Sequence, residues 1–168
     1  MEFIQEAFNT NWIAPLGPNV NNFERDLEVY NQIDHCAVLN TGTAAIHLAL
    51  ILMGVKMDDE VLCSSFTFSA TCNAIRYLQA KPVFVDSEMD TWNMCPDTLR
   101  TAIEDRILKG RKPKVCIDVH LYGMPSKIDE IKKVCEEFEI FLLEDSAEAL
   151  GATFKGQKMG TFVVMWIF

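Results

Sequence analysis

The most constraining feature of this sequence is the alternation of short apolar runs with stretches of helical length. Glu60-Val61-Leu62-Cys63, Pro82 to Asp86, Val115 to Val119 and Ile140 to Leu143 read as strands, with Cys36 to Leu39 as a further candidate. Between them, Ser69 to Leu78, Asp97 to Leu108 and Lys127 to Phe138 read as helices. Pro96 suits the first turn of the second, and Ser126 is the expected cap of the third. Upstream, Glu2 to Asn9 reads as a short helix, and Asn21 or Asn22 is expected to cap another that runs to about Ile33. Trp12 to Pro18 cannot be helical, because two prolines and a glycine interrupt it. Thr43 to Met53 is apolar almost all round, which predicts a helix buried on every side. Strands separated by helices of this length imply βαβ units. The expected fold is α/β, a mainly parallel sheet with helices on both faces. In such sheets ligands collect at the carboxyl ends of the strands.

Bulk properties narrow the function. A chain of 168 residues, 49% hydrophobic and 23% charged, can form one domain with a substantial core. The net charge of −9 argues against nucleic acid as a partner. The densest basic run, Lys109 to Lys114, reads as a solvated loop between a helix and a strand. No apolar segment is long enough to span a membrane, and the N-terminus lacks the pattern of a signal peptide. The six cysteines show no C-x-x-C pairing, and no His lies at metal spacing. They read as reduced thiols, mostly buried, of a cytoplasmic protein that binds no metal.

Three strand ends carry candidate chemistry. Asn40-Thr41-Gly42-Thr43 opens the apolar helix; its free N–H groups and hydroxyls suit a phosphate, although a plain Thr cap gives the same pattern. Ser64 to Thr71 carries Phe66 and Phe68, which could stack on a planar ring or simply fill the core. Glu144-Asp145-Ser146-Ala147-Glu148 follows a buried strand. A carboxylate there needs a partner, such as a pyridinium nitrogen, unless the segment is an ordinary acidic turn. Phosphate site, ring platform and ring-nitrogen partner together form a more specific pattern than any one alone. No G-x-G-x-x-G or Walker sequence is present, which argues against a plain nucleotide-binding domain.

The residues from Phe3 to Phe162 resemble the DegT/DnrJ/EryC1/StrS aminotransferases. The resemblance rests on Asn11 to Pro18, Gly42 to Leu50, Ser65-Phe66-Thr67-Phe68, Pro82 to Asp86, Asp90 to Met94, His120-Leu121-Tyr122-Gly123 and Glu144 to Ala152. It is greatest to enzymes that make 4-amino sugars for capsule, exopolysaccharide or glycan, such as the UDP-bacillosamine type. It implies that residues 1–168 form the first part of the large domain of a fold-type I transferase dependent on pyridoxal 5'-phosphate. It implies amino transfer from glutamate to a 4-keto nucleotide sugar, in a homodimer. Gly42 and Thr43 match the positions that bind the cofactor phosphate, Phe68 the ring-stacking aromatic and Asp145 the ring-nitrogen carboxylate. Glu148 matches the residue near the ring hydroxyl, where the family more often has Gln or His. Trp12 lies in a segment that borders the sugar in relatives.

The sequence departs from the family pattern after Gly160-Thr161-Phe162. The family continues Gly-Asp-x-Gly and then reaches the lysine that holds the cofactor. Here Val163 to Phe168 follows, and no lysine matches that position; Lys155 and Lys158 read as residues of a short solvent-facing hairpin. The catalytic lysine and the small C-terminal domain are therefore expected outside this chain, and the chain alone is expected to be inactive. A one-base slip would account for the tail, and a simple truncation is the rival account. The bases G-GTG-ATG-TGG, which can encode the end of Val163 through Trp166, regroup as GGT-GAT-GTG-G, reading Gly-Asp-Val and opening a glycine codon. Two alternatives follow: a sugar dehydratase of the same family, in which histidine replaces the lysine, or a non-catalytic remnant of a frameshifted gene.

Overall fold

A computed structural model describes all residues, 1–168, and they form two compact units, Met1–Asn40 and Thr41–Phe168. In the first unit, α1 (Glu2–Asn9) buries none of its residues and exposes Phe3, Ile4 and Phe8. Helix α2 spans Pro18–Asn31 and so begins earlier than the asparagine caps predict. Proline's fixed φ and missing N–H suit a first helical position, so Pro18 starts the helix where Asn21 and Asn22 were expected to. Gly17 precedes it at φ 139°, which L side chains rarely adopt, and a Cβ there would meet the Trp12 ring at 3.0 Å. The expected strand at Cys36 to Leu39 does not form. Two of its N–H groups are taken by side chains instead of a neighbouring strand: Cys36 donates to Glu28 Oε1 at 3.0 Å and Val38 to Glu24 Oε1 at 2.9 Å.

The second unit is built on a five-stranded parallel sheet. Its strands are β1 (Glu60–Ser64), β2 (Lys81–Val85), β3 (Val115–Val119), β4 (Phe141–Asp145) and, numbered after a small hairpin, β7 (Trp166–Ile167). The order is β2-β1-β3-β4-β7, with every pairing parallel. Successive strand residues face opposite sides, and two cores result. Val61, Cys63, Val115, Ile117 and Leu143 face α3 (Gly42–Leu52) and α4 (Ala70–Tyr77). Leu62 and Cys116 face α5 (Pro96–Leu108) and α6 (Ile128–Glu137). Helices therefore cover both faces, as the alternation predicts.

Helix α3 buries only Ile46, Ala49 and Leu50, whereas Leu48, Ile51 and Leu52 are 41%, 48% and 67% exposed. The expectation of burial on every side is thus corrected. Positions 46, 49 and 50 form one i, i+3, i+4 stripe on the sheet, and a helix resting on one surface covers no more than that. Ser126 does not cap α6; its hydroxyl donates to Asp118 instead, and Lys127 holds the cap position without a side-chain hydrogen bond. Glu60, at the start of β1, is held by a two-pronged bond from Arg106 of α5, with Nε donating to Oε2 at 2.7 Å. This fork lets a carboxylate sit 5% exposed.

Lys155-Gly156 turns the hairpin of β5 (Thr153–Phe154) and β6 (Gln157–Lys158) at φ 50° and 83°, and Lys155 pairs with Asp129 at 2.6 Å. The tail after Phe162 joins the fold through β7, which aligns Trp166 with Glu144 and Ile167 with Asp145. All six cysteines are free thiols, three of them buried, and burial pushes Cys63 up to about 12. No helix is long and apolar enough to cross a membrane.

Candidate active site at the carboxyl edge of the sheet

The loops that leave β1, β2, β3 and β4 share one edge because the strands are parallel. The start of α3 points to the same edge. Its far end is fixed at the opposite one, where Lys114, just before β3, donates from Nζ to the Gly54 carbonyl. Eleven helical residues then rise about as far as a five-residue strand, about 17 Å. Thr41 caps α3, its hydroxyl accepting the Ala44 N–H at 3.1 Å and its carbonyl the Ala45 N–H at 3.1 Å. The N–H groups of Gly42 and Thr43 have no acceptor within the chain, and a Cβ added at Gly42 would meet nothing within 4 Å. The plain-cap reading is met by Thr41, and two donors remain on open space beside it.

Asp145 ends β4 on the face of α3 and α4. It is 6% exposed. Burial raises its pKa, opposed by the Ala147 N–H at 3.3 Å, His120 and the Thr71 hydroxyl, while nearby Glu148 pushes it further up. Phe66 and Phe68, on the loop after β1, are 45% and 73% exposed, so neither is a core residue. Phe66 meets Trp92 edge-on at 6.1 Å, and Phe68 has no ring partner.

The opposite face of the same strand ends holds a buried polar network. Glu144, wholly buried, accepts from His120 Nε2 at 3.1 Å, the Ser146 hydroxyl at 3.2 Å, the Phe162 N–H at 3.1 Å and the Gly160 N–H. Glu144 and Asp145 are thus the last residues of the strand, each with partners, where the sequence reading set them just after it; the turn begins beyond them, at Ala147 and Glu148. His120 Nδ1 accepts the Ser126 N–H at 3.2 Å. Burial lowers the His120 pKa, but Glu144, Asp118 and Asp145 outweigh it and raise it. The Ser126 N–H occupies the one nitrogen that a further proton would need, so the geometry defines a neutral ring with its proton on Nε2. Asp118 lies two residues before His120 and accepts from the Ser126 hydroxyl. Burial pushes it up to about 6. Its Oδ1 has no partner, nor has the Ser64 hydroxyl at the next position of neighbouring β1.

Of the residues singled out in the sequence, Gly42, Thr43, Phe68, Asp145 and Glu148 all belong to this edge of the second unit. Glu148 is exposed and accepts the Tyr122 N–H through Oε2. Trp12 belongs to the first unit, packs against Gly17 and lines a small cleft with Thr10, Leu16 and Pro18. Sequence reasoning passed over Thr71, Asn93, Asp118 and the role of His120. Asp118 carried a legible signal, a carboxylate inside the apolar run Val115 to Val119.

With this geometry, the chain belongs to the DegT/DnrJ/EryC1/StrS aminotransferase family, whose pattern matches residues 1–168. It is 51% identical over 166 residues to EpsN of Bacillus subtilis (strain 168), assigned as a pyridoxal phosphate-dependent aminotransferase, covering 99% of this chain and 43% of EpsN. It is 36% identical over 161 residues to a GDP-perosamine synthase of Escherichia coli O157:H7, covering 96% of this chain and 43% of that one. A DegT DnrJ EryC1 StrS aminotransferase from Brucella abortus superposes with a TM-score of 0.86 at 33% identity, over 94% of this chain and 42% of that one. Spr1654 from Streptococcus pneumoniae, assigned as a sugar aminotransferase and solved in its PMP form, gives 0.83 at 33% identity, over 95% and 43%. A GDP-4-keto-6-deoxymannose-3-dehydratase with bound GDP-perosamine gives 0.85 at 26% identity, over 97% and 42%. The chain thus spans less than half the length of these relatives.

Proposed function

We propose that this edge is the cofactor half of a sugar aminotransferase site. The whole protein would transfer an amino group, from glutamate, to a 4-keto nucleotide sugar, working as a homodimer, with residues 1–168 the first part of its cofactor-binding domain. The observation that carries the reading is a buried carboxylate, Asp145, on the edge to which the two unclaimed N–H groups of α3 point. These residues fit pyridoxal phosphate. Gly42 and Thr43 offer donors and open space to a phosphate, at the positive end of the helix dipole. Phe68 offers an exposed aromatic face to a flat ring. When bound, pyridoxal phosphate supplies a protonated ring that draws off electron density and a carbon that carries the amino group.

Asp145 would keep the proton on the ring nitrogen. Burial strengthens that bond by excluding water, and Thr71 and Ala147 hold the carboxylate in place. Glu148 would face the ring hydroxyl.

Pyridoxamine 5'-phosphate tests the reading directly, since it binds without a lysine. Titration calorimetry should show binding to this chain, weakened at least about tenfold by Asp145→Asn, a loss near the 1.5–3 kcal/mol of a charged hydrogen bond. Equal affinity of the variant and the parent chain would remove Asp145 from the role. In the whole protein, glutamate and a 4-keto nucleotide sugar should yield the amino sugar. Release of a deoxygenated sugar instead would favour the dehydratase chemistry of the 26% identical neighbour.

A further inference from the structure

Resting on the cofactor reading above, we propose that Asn93 is a positioning residue of the site: it sets the side chain of Glu148 through the turn at Leu121–Gly123. Asn93 is 2% exposed, and both ends of its amide bind that turn. Its Oδ1 accepts the Leu121 N–H at 3.0 Å, and its Nδ2 donates to the Met124 carbonyl at 2.8 Å. The two bonds bracket Tyr122 and Gly123.

Both residues of the bracketed pair stand at positive φ. Tyr122 stands at φ 55°, ψ 24°, and Gly123 at φ 79°. A bulky residue in the left-handed region persists only where its surroundings hold it there. Packing of the Tyr122 ring is not the reason, since the residue is 81% exposed. What the conformation delivers is the Tyr122 N–H, which donates to Glu148 Oε2. Gly123 makes a second approach, because a Cβ there would come within 3.0 Å of the Glu148 carbonyl oxygen. The turn therefore touches Glu148 on both side chain and backbone, and Asn93 clamps the turn.

Asn93 is itself anchored. Its carbonyl accepts the Glu88 N–H at 2.9 Å, and its N–H donates to the Thr91 hydroxyl at 3.3 Å. Glu88 gathers the N–H groups of Asp90 at 2.8 Å and Thr91 at 2.7 Å, together with the Thr91 hydroxyl. Lys127 closes the loop from α6, with Nζ 3.0 Å from Glu88 and 2.7 Å from Asp90. Burial alone would raise the Glu88 pKa, but these donors hold it at about 2. The loop after β2 thus orients the loop after β3, and that loop orients the residue proposed to meet the cofactor after β4.

A mere staple between loops would give the same contacts, so the test must detect action through Glu148. Pyridoxamine 5'-phosphate affinity is measured by calorimetry for the parent chain, Asn93→Ala, Glu148→Ala and the double variant. Asn93→Ala should weaken binding about fivefold to tenfold in the parent and less than about twofold once Glu148 is gone. Equal losses in both backgrounds, or none in either, overturn the proposal. Asn93→Asp, which keeps the acceptor for Leu121 N–H but sets an oxygen against the Met124 carbonyl, covers the case in which alanine unfolds the chain. The Tyr122 amide should exchange with solvent faster in Asn93→Asp and in Glu148→Ala, and by more than the amides of β3 and β4 do in the same variants, which separates a loosened turn from a general loss of stability. If Glu148→Ala leaves the affinity unchanged, or nothing binds, the cofactor reading of Glu148 fails. The Tyr122 exchange rate then decides whether Asn93 orients Glu148: an unchanged rate in Asn93→Asp overturns that role too, and a faster one retains it.

Discussion

Replacing Asp118 with asparagine should make the chain more stable at neutral pH. Asp118 is wholly buried, accepts one hydrogen bond, from Ser126, and has an oxygen with no partner. Its folded pKa is about 6 against an ordinary 3.8, and the cause is burial, which the Ser126 hydrogen bond only partly offsets. Because the folded value is the higher one, folding favours the protonated form. The cost of the charge is absent below about pH 4, grows between about 4 and 6, and is complete at pH 7. A difference of about two pKa units corresponds to about 3 kcal/mol. The asparagine side chain would keep an oxygen for Ser126, carry no charge, and place an NH2 toward the strand position of the unpartnered Ser64 hydroxyl. Urea unfolding of the parent and the Asp118→Asn variant at pH 7 and pH 4 measures the difference. The variant should gain up to about 3 kcal/mol at pH 7 and little at pH 4. A loss at pH 7, or a gain independent of pH, would refute the assignment of Asp118 as a destabilising buried charge.

Other changes have definite expected signs. Leu99→Ala, at a fully buried position of α5, should cost about 2–5 kcal/mol by the same denaturation measurement. Glu144→Gln must set an NH2 against at least one of four donors, so a loss of about 2–3 kcal/mol is expected, with faster amide exchange at Phe162 or Gly160. Nitrogen NMR of His120 should show the neutral ring with its proton on Nε2 at pH 7; a doubly protonated ring would mean that the Ser126 bond is broken.

Much of the second unit was legible because its physics is local. Strands β1 to β4 and helices α4 to α6 lie within two residues of where apolar runs, prolines and breakers place them. The misreadings have long-range causes. Cys36 to Leu39 has strand composition, but a strand also needs a partner, and Glu24 and Glu28 took its N–H groups. Ser126 has the chemistry of a cap, yet a buried carboxylate eight residues away drew its hydroxyl from the helix end. Helix α3 looked buried because apolar residues surround it, and composition does not say how much surface the rest of the chain can cover. At the candidate site, Gly42 and Thr43 were singled out by helix-end chemistry, and Asp145 and Glu148 by an acidic strand end and by their resemblance to a known pattern. Asn93 was not, because its part depends on the backbone of a loop about thirty residues further along.

Adjacent carboxylates on β4 carry a consequence for how this gene can vary. Glu144 and Asp145 differ by one methylene and occupy neighbouring positions, yet they point to opposite faces. The first binds the network beneath the sheet, and the second borders the proposed chemistry. Deleting or inserting a single codon anywhere in Phe141 to Leu143 would exchange the two, turning the shorter acid toward His120 and the longer one toward Thr71. Point mutations elsewhere in the strand can be absorbed by repacking, but a one-residue length change here would reverse the polarity of the edge in one step. Deletion scanning across residues 138–150 should therefore lose pyridoxamine 5'-phosphate binding at every position of β4, including those whose side chains lie far from the edge.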